Sequence, residues 1–566
     1  MKELVKEIVI DATKKAGYAI PHDFSIETPP KSEMGDFATN IAMIIAGRDK
    51  ANPREIAEKI LSNISKAKEI DKVEMAGPGF INIFLIQNIF AKEFKEILEQ
   101  KENYGRGSEK RIKVNVEYVS ANPTGPLHVG NARGGPIGEA VANLLGFLGY
   151  HVDREFYVND MGLQIERFGR SLYYWYAKKT DPRLEFPTDG YPAPYIKDIS
   201  ELIQKEKKEE LKKNKDESEL IEFFIKEGLY YTVKSMREDC ELIGIKFDTW
   251  FYESDLIHSG KTKQAISKLK QDGYTVNKEG ALWFKNPNDP DMQDKESVLV
   301  KSDGNTLTYF SDDIAYHVDK FERGYGLLIN VWGANHHGHL PRFSAAMRAL
   351  GHSEDKVKIM FYQYIRLKKA GKAFSMGKRL GNFVTLRQVI ESGVEPDAFK
   401  YFILAQNSNT PFDFDLELAA DTSEKNPVFY IKYAHARICS ILAKANISSV
   451  IPSEVEGSFN SDRGKPAADL KNADFNLLSN PKEQALIKEL VKFPELLIEV
   501  SNNFQIQALP HYAHKIAGLF HDFYANCQVL TEDKKLTASR LSLVVATKYV
   551  LANCLNICGI KAPEKM

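Results

Sequence analysis

The chain moves between two hydrophobic rhythms, and the points where one yields to the other outline its architecture. Near the start, Leu4, Ile8 and Ile10 recur among charged neighbours at helical spacing. The stretch GDFATNIAMIIAG (35–47) reads as a second helix. NPREIAEKIL (52–61) opens a third, with Asn52 as cap and Pro53 at the first helical position. GPGFINIFL (77–85) turns on Gly and Pro and enters a strand, and NYGRGSEK (103–110) is a polar linker. Residues 1–105 therefore read as a separate α+β unit.

A period of two takes over at RIKVNVEYV (111–119), with Ile112, Val114, Val116 and Tyr118 on one side of a strand. SANPTGP (120–126) is a loop, 129–150 is mostly helix, and HVDREFYVND (151–160) is the next strand. Strand, loop, helix and strand at this spacing make a βαβ unit of an open parallel sheet. A lysine- and glutamate-rich helical stretch over 195–245 carries the run EKKEELKKNKDESEL (206–220), a solvated face or flexible insertion placed at about 180–260. Strand signals return at GALWF (280–284), SVLV (297–300), TLTYF (306–310) and GLLINVWG (326–333), so the second half of the α/β domain, 106–395, follows the insertion. From about residue 396 the strands stop, and helical periodicity runs to 566 apart from a Ser-, Pro- and Gly-rich break at about 447–475. The expected fold is multidomain: an N-terminal α+β domain, a Rossmann-like α/β domain with a helical insertion, and a C-terminal all-α bundle. No fixed-period repeat is present.

Bulk properties narrow the function classes. A chain of 566 residues is too long for one core. With a formal net charge of -1, any nucleic-acid partner must be met by local basic patches rather than a global field. The five cysteines, Cys240, Cys439, Cys527, Cys554 and Cys558, form no disulfide framework and read as buried thiols. The first residues lack the unbroken apolar stretch of a signal peptide, and no run of about 18 apolar residues offers a membrane span. The expectation is a soluble cytoplasmic protein with no membrane partner.

Candidate chemistry gathers first at EYVSANPTGPLHVGN (117–131), between a strand and a helix, where an open parallel sheet presents ligand sites. Neither GxGxxG nor GxxxxGK[ST] occurs here. Instead His128 stands at the helix start with Gly130 and Asn131 beside it. A helix N-terminus favours phosphate, and an imidazole there can donate to phosphate oxygens as their charge shifts in nucleotidyl transfer. Gly130 would let a nucleotide approach the backbone. The eleven residues Ala121, Asn122, Pro123, Thr124, Gly125, Pro126, Leu127, His128, Val129, Gly130 and Asn131 resemble the extended HIGH signature of class I aminoacyl-tRNA synthetases, in the form typical of the arginine-specific family.

A second segment, within 371–382, is a glycine-punctuated basic loop that resembles the KMSKS loop of the same class. Ser375, Met376, Gly377, Lys378 and Arg379 replace the motif; serine stands for its first lysine and glycine for its serine, while the second lysine survives as Lys378. An ammonium on such a loop can neutralise triphosphate as pyrophosphate leaves. The resemblance makes His128, Gly130, Asn131 and Lys378 the ATP-binding set, with His128 and Lys378 catalytic. Whether Lys372 covers the missing first lysine stays open.

Guanidinium selection requires carboxylates placed for bidentate contact plus neutral acceptors. The resemblance assigns the arginine pocket to Glu117, Asn122, Tyr309, Asp313 and the position of His336. At VWGANHHGHLPRF (331–343) the chain departs from the family, which mostly carries an acidic residue where Asn335 stands or a glutamine where His336 stands. His336, His337 and His339 lack a supporting Cys or carboxylate cluster, so no tightly bound metal is expected. Further matches are YVNDMGLQI (157–165), DGYPAPYI (189–196), SDGNTLTYF (302–310) and the terminal GIKAPEKM (559–566).

The ends resemble tRNA-facing parts of the family. EPDAFKYFIL (395–404) is similar to the opening of a DALR-type anticodon-binding domain, departing at Phe399 and Lys400. In NPVFYIKYAHAR (426–437), Tyr430, Tyr433 and His435 interleave with Lys432 and Arg437, as single-stranded loop recognition requires, although such aromatics equally serve a bundle core. GDFATN (35–40) and GPGFIN (77–82) resemble the family's additional domain at the tRNA elbow, where Phe80 and Asn82 could touch a splayed base and Phe80 could equally be core. The resemblance thus implies a monomeric enzyme that joins arginine to tRNA(Arg) using ATP with Mg2+, arginine activation usually requiring bound tRNA. The alternatives are a cysteinyl synthetase, which should show zinc-ligand cysteines, a small adenylyltransferase, which would lack the helical domain, and a catalytically impaired tRNA-binding paralogue.

Overall fold

The structure is a computed structural model that describes residues 1–29, 31–213, 215–292, 296–304, 306–369, 371–374, 384–445 and 473–566. It forms two compact units: 1–104 with 442–495 and 519–550, and 105–441 with 496–518 and 551–566. The first unit holds a four-stranded antiparallel sheet in the order Ile26–Glu27, Phe37–Thr39, Phe80–Leu85, Ile70–Ala76. The helix Pro53–Ile64 starts as expected, with the Asn52 side chain accepting from the Arg54 backbone N–H at 3.0 Å. The segment 35–47 is corrected: Phe37–Thr39 pairs with the strand Phe80–Leu85 before the helix Ile41–Asp49 begins. Asp36 fixes that junction, accepting from the Leu85 N–H at 2.9 Å and from Lys488 at 2.8 Å.

The second unit is built on five parallel strands: β1 (Lys113–Glu117), β2 (His151–Val158), β3 (Thr249–Tyr252), β4 (Leu327–Gly333) and β5 (Val357–Tyr362). Their order is β5-β4-β1-β2-β3, so the chain leaves β1 to one side and later returns on the other. The strand ends at β1 and β4 are therefore a topological switch point, where open α/β sheets bind ligands. As the central strand β1 is covered on both faces, and Val114, Asn115, Val116 and Glu117 are all buried.

The expected helix 129–150 is two, α1 (Val129–Ala132) and α2 (Gly134–Phe147), meeting at Arg133. Arg133 is 0 % exposed; its guanidinium donates to the carbonyls of Gln363, Thr410 and Asn407 and lies 4.8 Å from the Phe412 ring. Burial lowers its pKa to about 10. Gly138 lets α2 lie against β1, since a Cβ there would fall 2.1 Å from the Tyr118 ring. The insertion after β2 holds α3 (Leu163–Ala177), α4 (Pro194–Glu206) and α5 (Glu217–Leu242), packed around Phe168, Leu172, Ile196, Ile203 and Phe224. The charge run 206–220 ends at a capping box, Asp216 with Glu219, that starts α5.

Three strand readings are corrected. GALWF and SVLV do not join the parallel sheet; Ala281–Phe284 and Ser297–Val300 pair antiparallel in a separate sheet with Thr275–Lys278. TLTYF leads into a helix, α6 (Tyr309–Glu322). Strands also continue past 396, because Phe412–Asp415 pairs in parallel with Ile365–Lys369. The remaining elements that frame the site are α7 (Leu340–Ala349) and α8 (Leu386–Glu391).

Candidate active site

A cavity of about 450 Å³ opens at the ends of β1, β2 and β4. Glu117, Asn122, Tyr309, Asp313 and His336 all line it, as does Asn131 of the HIGH-like segment. Tyr309 and Asp313 share one face of α6 because they stand four residues apart. Tyr309 is 63 % exposed at the rim, and Arg342 on α7 donates to its hydroxyl.

Hydrogen-bond chemistry fixes the state of the cavity floor. Lys320, 0 % exposed, donates to Glu117 Oε2 at 2.7 Å and to Asn330 Oδ1 at 3.1 Å. This turns the Asn330 amide nitrogen toward His317 Nε2, 2.8 Å away, which must accept. His317 Nδ1 then carries the ring proton and donates to the Asp313 carbonyl at 2.8 Å. Arg342 Nε donates to His339 Nδ1 at 3.0 Å, so His339 Nε2 carries the proton it gives to Asp313 Oδ2. Burial would raise the Asp313 pKa, but the His317 ring, whose Nδ1 also lies 3.2 Å from Oδ1, and the His339 N–H donated to Oδ2 lower it. Asp313 is thus ionised, while the charge of Glu117 is offset by Lys320.

A further carboxylate belongs to this cavity. Glu253, directly after β3, accepts from the Tyr157 hydroxyl at 2.9 Å. Burial, then the nearby Asp312, push its pKa up to about 7, with Asp160 and Asp313 adding to the rise and Tyr157 opposing it. Asp312, whose carboxylate accepts from Thr262 at 2.9 Å, is itself raised to about 6, chiefly by burial. The site is an acidic socket walled by Tyr157, Tyr316 and Trp332, which suits a planar cation.

The HIGH-like loop leaves β1 through a strained turn. Val119 and Ser120 have φ of 66° and 36°, uncommon for any L residue and most so for a β-branched one. The Ser120 hydroxyl holds the turn, donating to Glu117 Oε1 at 3.0 Å and accepting from the Tyr157 N–H at 3.1 Å. His128 caps α1: its Nδ1 accepts from the Asn131 N–H at 3.1 Å, so the neutral ring carries its proton on Nε2. Gly130 makes room for that ring, since a Cβ there would come within 3.1 Å of Nδ1. Two backbone bonds join this loop to the stretch after the basic loop: Leu386 N–H to Leu127 O at 2.8 Å, and Val129 N–H to Val384 O at 3.1 Å. Ser375, Met376, Gly377, Lys378 and Arg379 themselves lie outside the described residues.

The sequence candidates for tRNA contact fall elsewhere. Phe80 is half-buried and Asn82 is 8 % exposed on the strand Phe80–Leu85. Tyr433 is 37 % exposed, with the Arg437 guanidinium 5.2 Å from its ring centre and bonded to its hydroxyl. The Tyr430 ring packs 5.2 Å from His514. Their two neighbours serve the packing alternative: Lys432 forms a 2.7 Å ion pair with Asp397, and His435 is buried with Nδ1 2.8 Å from the Pro563 carbonyl. Asp397 and Lys400 of the DALR-like opening pair at 3.1 Å, and Lys400 also donates to the Gly559 carbonyl, tying the C-terminal segment to it.

Three family profiles match the chain: an arginyl tRNA synthetase N-terminal domain at 2–85, a class I (R) tRNA synthetase catalytic domain at 93–409, and a DALR anticodon binding domain at 431–566. Curated proteins named arginine--tRNA ligase from Caldanaerobacter subterraneus and Bacillus subtilis are each 40 % identical, covering 100 % of this chain and 99 % of their own. The chain belongs to the arginyl-tRNA synthetase family. The fold agrees: the Thermus thermophilus arginyl-tRNA synthetase superposes with a TM-score of 0.75 at 21 % identity, with 100 % of both chains covered. In this synthetase, Glu253 and Tyr157 were missed by the sequence reading. Recognising TWFY (249–252) as the strand beside β2 would have put Glu253 at a sheet end. The histidines of 336–339 take separate packing roles: His337 stacks on Phe361 at 3.8 Å while His339 serves Asp313.

Proposed function

We propose that the chain activates L-arginine with ATP, giving arginyl-adenylate and pyrophosphate, and then transfers the arginyl group to the terminal ribose hydroxyl of tRNA(Arg). The acidic socket carries this reading. Asp313 and Glu253 supply the charge for the guanidinium. Glu117, already paired with Lys320, serves as an oriented acceptor beside Asn122, Tyr309 and His336. Bound arginine would direct its carboxylate toward the α-phosphate of magnesium-bound ATP held at His128, Gly130, Asn131 and Lys378. Attack on phosphorus forms the acyl–phosphate bond as pyrophosphate departs, and His128 Nε2–H and Lys378 stabilise the charge that develops on the phosphate oxygens. Residues 1–105 would meet the tRNA elbow through Phe80 and Asn82, and 396–566 the anticodon through Tyr430, Tyr433 and Arg437. The family resemblance supports a monomeric cytoplasmic enzyme.

ATP–pyrophosphate exchange across all amino acids, with tRNA present, tests the assignment. Arginine alone is expected to support exchange, and equal exchange with another amino acid would refute the reading.

Glu253 adds a pH signature. Its raised pKa means that it binds a proton in the free protein below about pH 7. A guanidinium favours the ionised form, so arginine binding should release that proton. Affinity should then rise about tenfold from pH 6 to pH 8 and level off above, because each pH unit below the pKa removes a factor of ten. Calorimetric titration of arginine checks this. In Glu253→Gln the affinity should be lower and that rise should be lost; the same slope in the variant would assign the titration to another group.

A further inference from the structure

We infer that the insertion holds the HIGH-like loop in register from behind, with Tyr195, Thr232 and Asp239 as positioning residues for the reaction proposed above. Two hydrogen bonds hold the five residues that precede His128, and a buried carboxylate lies beside them. The Thr232 hydroxyl lies 2.8 Å from the Pro123 carbonyl, nearer than the carbonyls of its own helix, Gly228 at 3.0 Å and Leu229 at 3.2 Å. The Tyr195 hydroxyl donates to the Thr124 carbonyl at 2.9 Å. The Asp239 carboxylate lies beside the Leu127 backbone N–H.

Their placement is regular. Thr232 and Asp239 stand seven residues apart on α5, two turns along one face, and are 2 % and 1 % exposed. α5 thus acts as a straight edge along which 123–127 is laid. Tyr195 comes from α4 and closes over the loop: a Cβ on Gly125 would fall 2.6 Å from its hydroxyl and 2.8 Å from its ring. Asp239 also reaches Arg387 on α8 at 2.7 Å, directly beyond Leu386, which bonds the Leu127 carbonyl. One buried carboxylate therefore stands between the loop before His128 and α8, to which it is ion-paired.

The loop needs such holding because it begins at Val119 and Ser120, whose backbone is unfavourable for those residues. Sub-ångström drift of 123–127 would carry His128 with it, and positional errors of that order lower rates steeply. The insertion is thereby mechanically part of the catalytic site, although none of these three residues lines the arginine cavity.

Thr232→Val and Tyr195→Phe each remove one hydroxyl at nearly constant shape. In the full-length protein each should lower kcat for ATP–pyrophosphate exchange about tenfold, with KM for arginine within about twofold of wild type and an unchanged melting temperature. Thr232→Ser restores the hydroxyl and should restore the rate. Amide hydrogen exchange across 121–128, followed by mass spectrometry, reads the clamp without any reaction, and protection there should fall in the valine and phenylalanine variants. An inactive wild type whose variants still lose loop protection would sink the proposed reaction and leave the clamp standing. Unchanged protection of 121–128 in both variants, or a serine variant as slow as the valine one, overturns the clamp.

Discussion

Asp313→Asn is expected to raise KM for arginine about a hundredfold, close to 3 kcal/mol, while KM for ATP stays near its wild-type value. The size follows from what the substitution does to a fixed network. His339 Nε2–H donates to Asp313 Oδ2, and His339 cannot exchange tautomers without turning a proton toward Arg342 Nε–H. An asparagine at 313 must therefore present its oxygen to His339, and its amide nitrogen takes the other carboxylate position. A guanidinium then meets a donor where it needs an acceptor, and one full charge is lost from the socket. The same variant should narrow the preference for arginine over citrulline, which is uncharged and carries a carbonyl. Steady-state exchange with both amino acids measures this. A change in arginine KM below about threefold would mean that Asp313 does not meet the side chain.

Much of this site could be read from the sequence because its determinants are local. Tyr309 and Asp313 share a helix face by spacing alone, and the eleven residues to Asn131 name a loop that opens a helix. The strand 111–119 was also legible, but alternation implies one wet face, whereas β1 is buried on both. The polar positions Asn115 and Glu117 look inward, and Lys320, which neutralises Glu117, comes from 203 residues away. No local pattern announces such a partner. The same reason hid Glu253, which enters the cavity only because β3 pairs with β2 after a long insertion. Lys432 and His435 show the opposite case: in sequence they alternate with aromatics like a base-stacking surface or a bundle core, and Asp397 and Pro563 occupy them. Short apolar runs such as GALWF and SVLV show that a strand exists, but the choice of sheet is made by distant pairing.

His128→Asn should lower kcat for exchange by about 10²–10³ with KM for arginine little changed, the range seen when one transition-state donor is removed. Asparagine is the informative replacement because the proposed mechanism gives His128 a second job beside its cap. Its Nδ1 caps α1 by accepting from the Asn131 N–H, and an asparagine side chain is among the best caps for that position. The variant keeps the helix start and removes only the Nε2–H. His128→Ala removes both, so it should lose the same catalytic factor and in addition about 1 kcal/mol of stability from the uncapped turn. Equal kcat in the two variants with different melting temperatures would separate capping from catalysis within one residue. If the asparagine enzyme turned over at the wild-type rate, the imidazole would be a cap and no more. Charge stabilisation at the phosphate would then have to come from Lys378 and the metal ion carried by ATP.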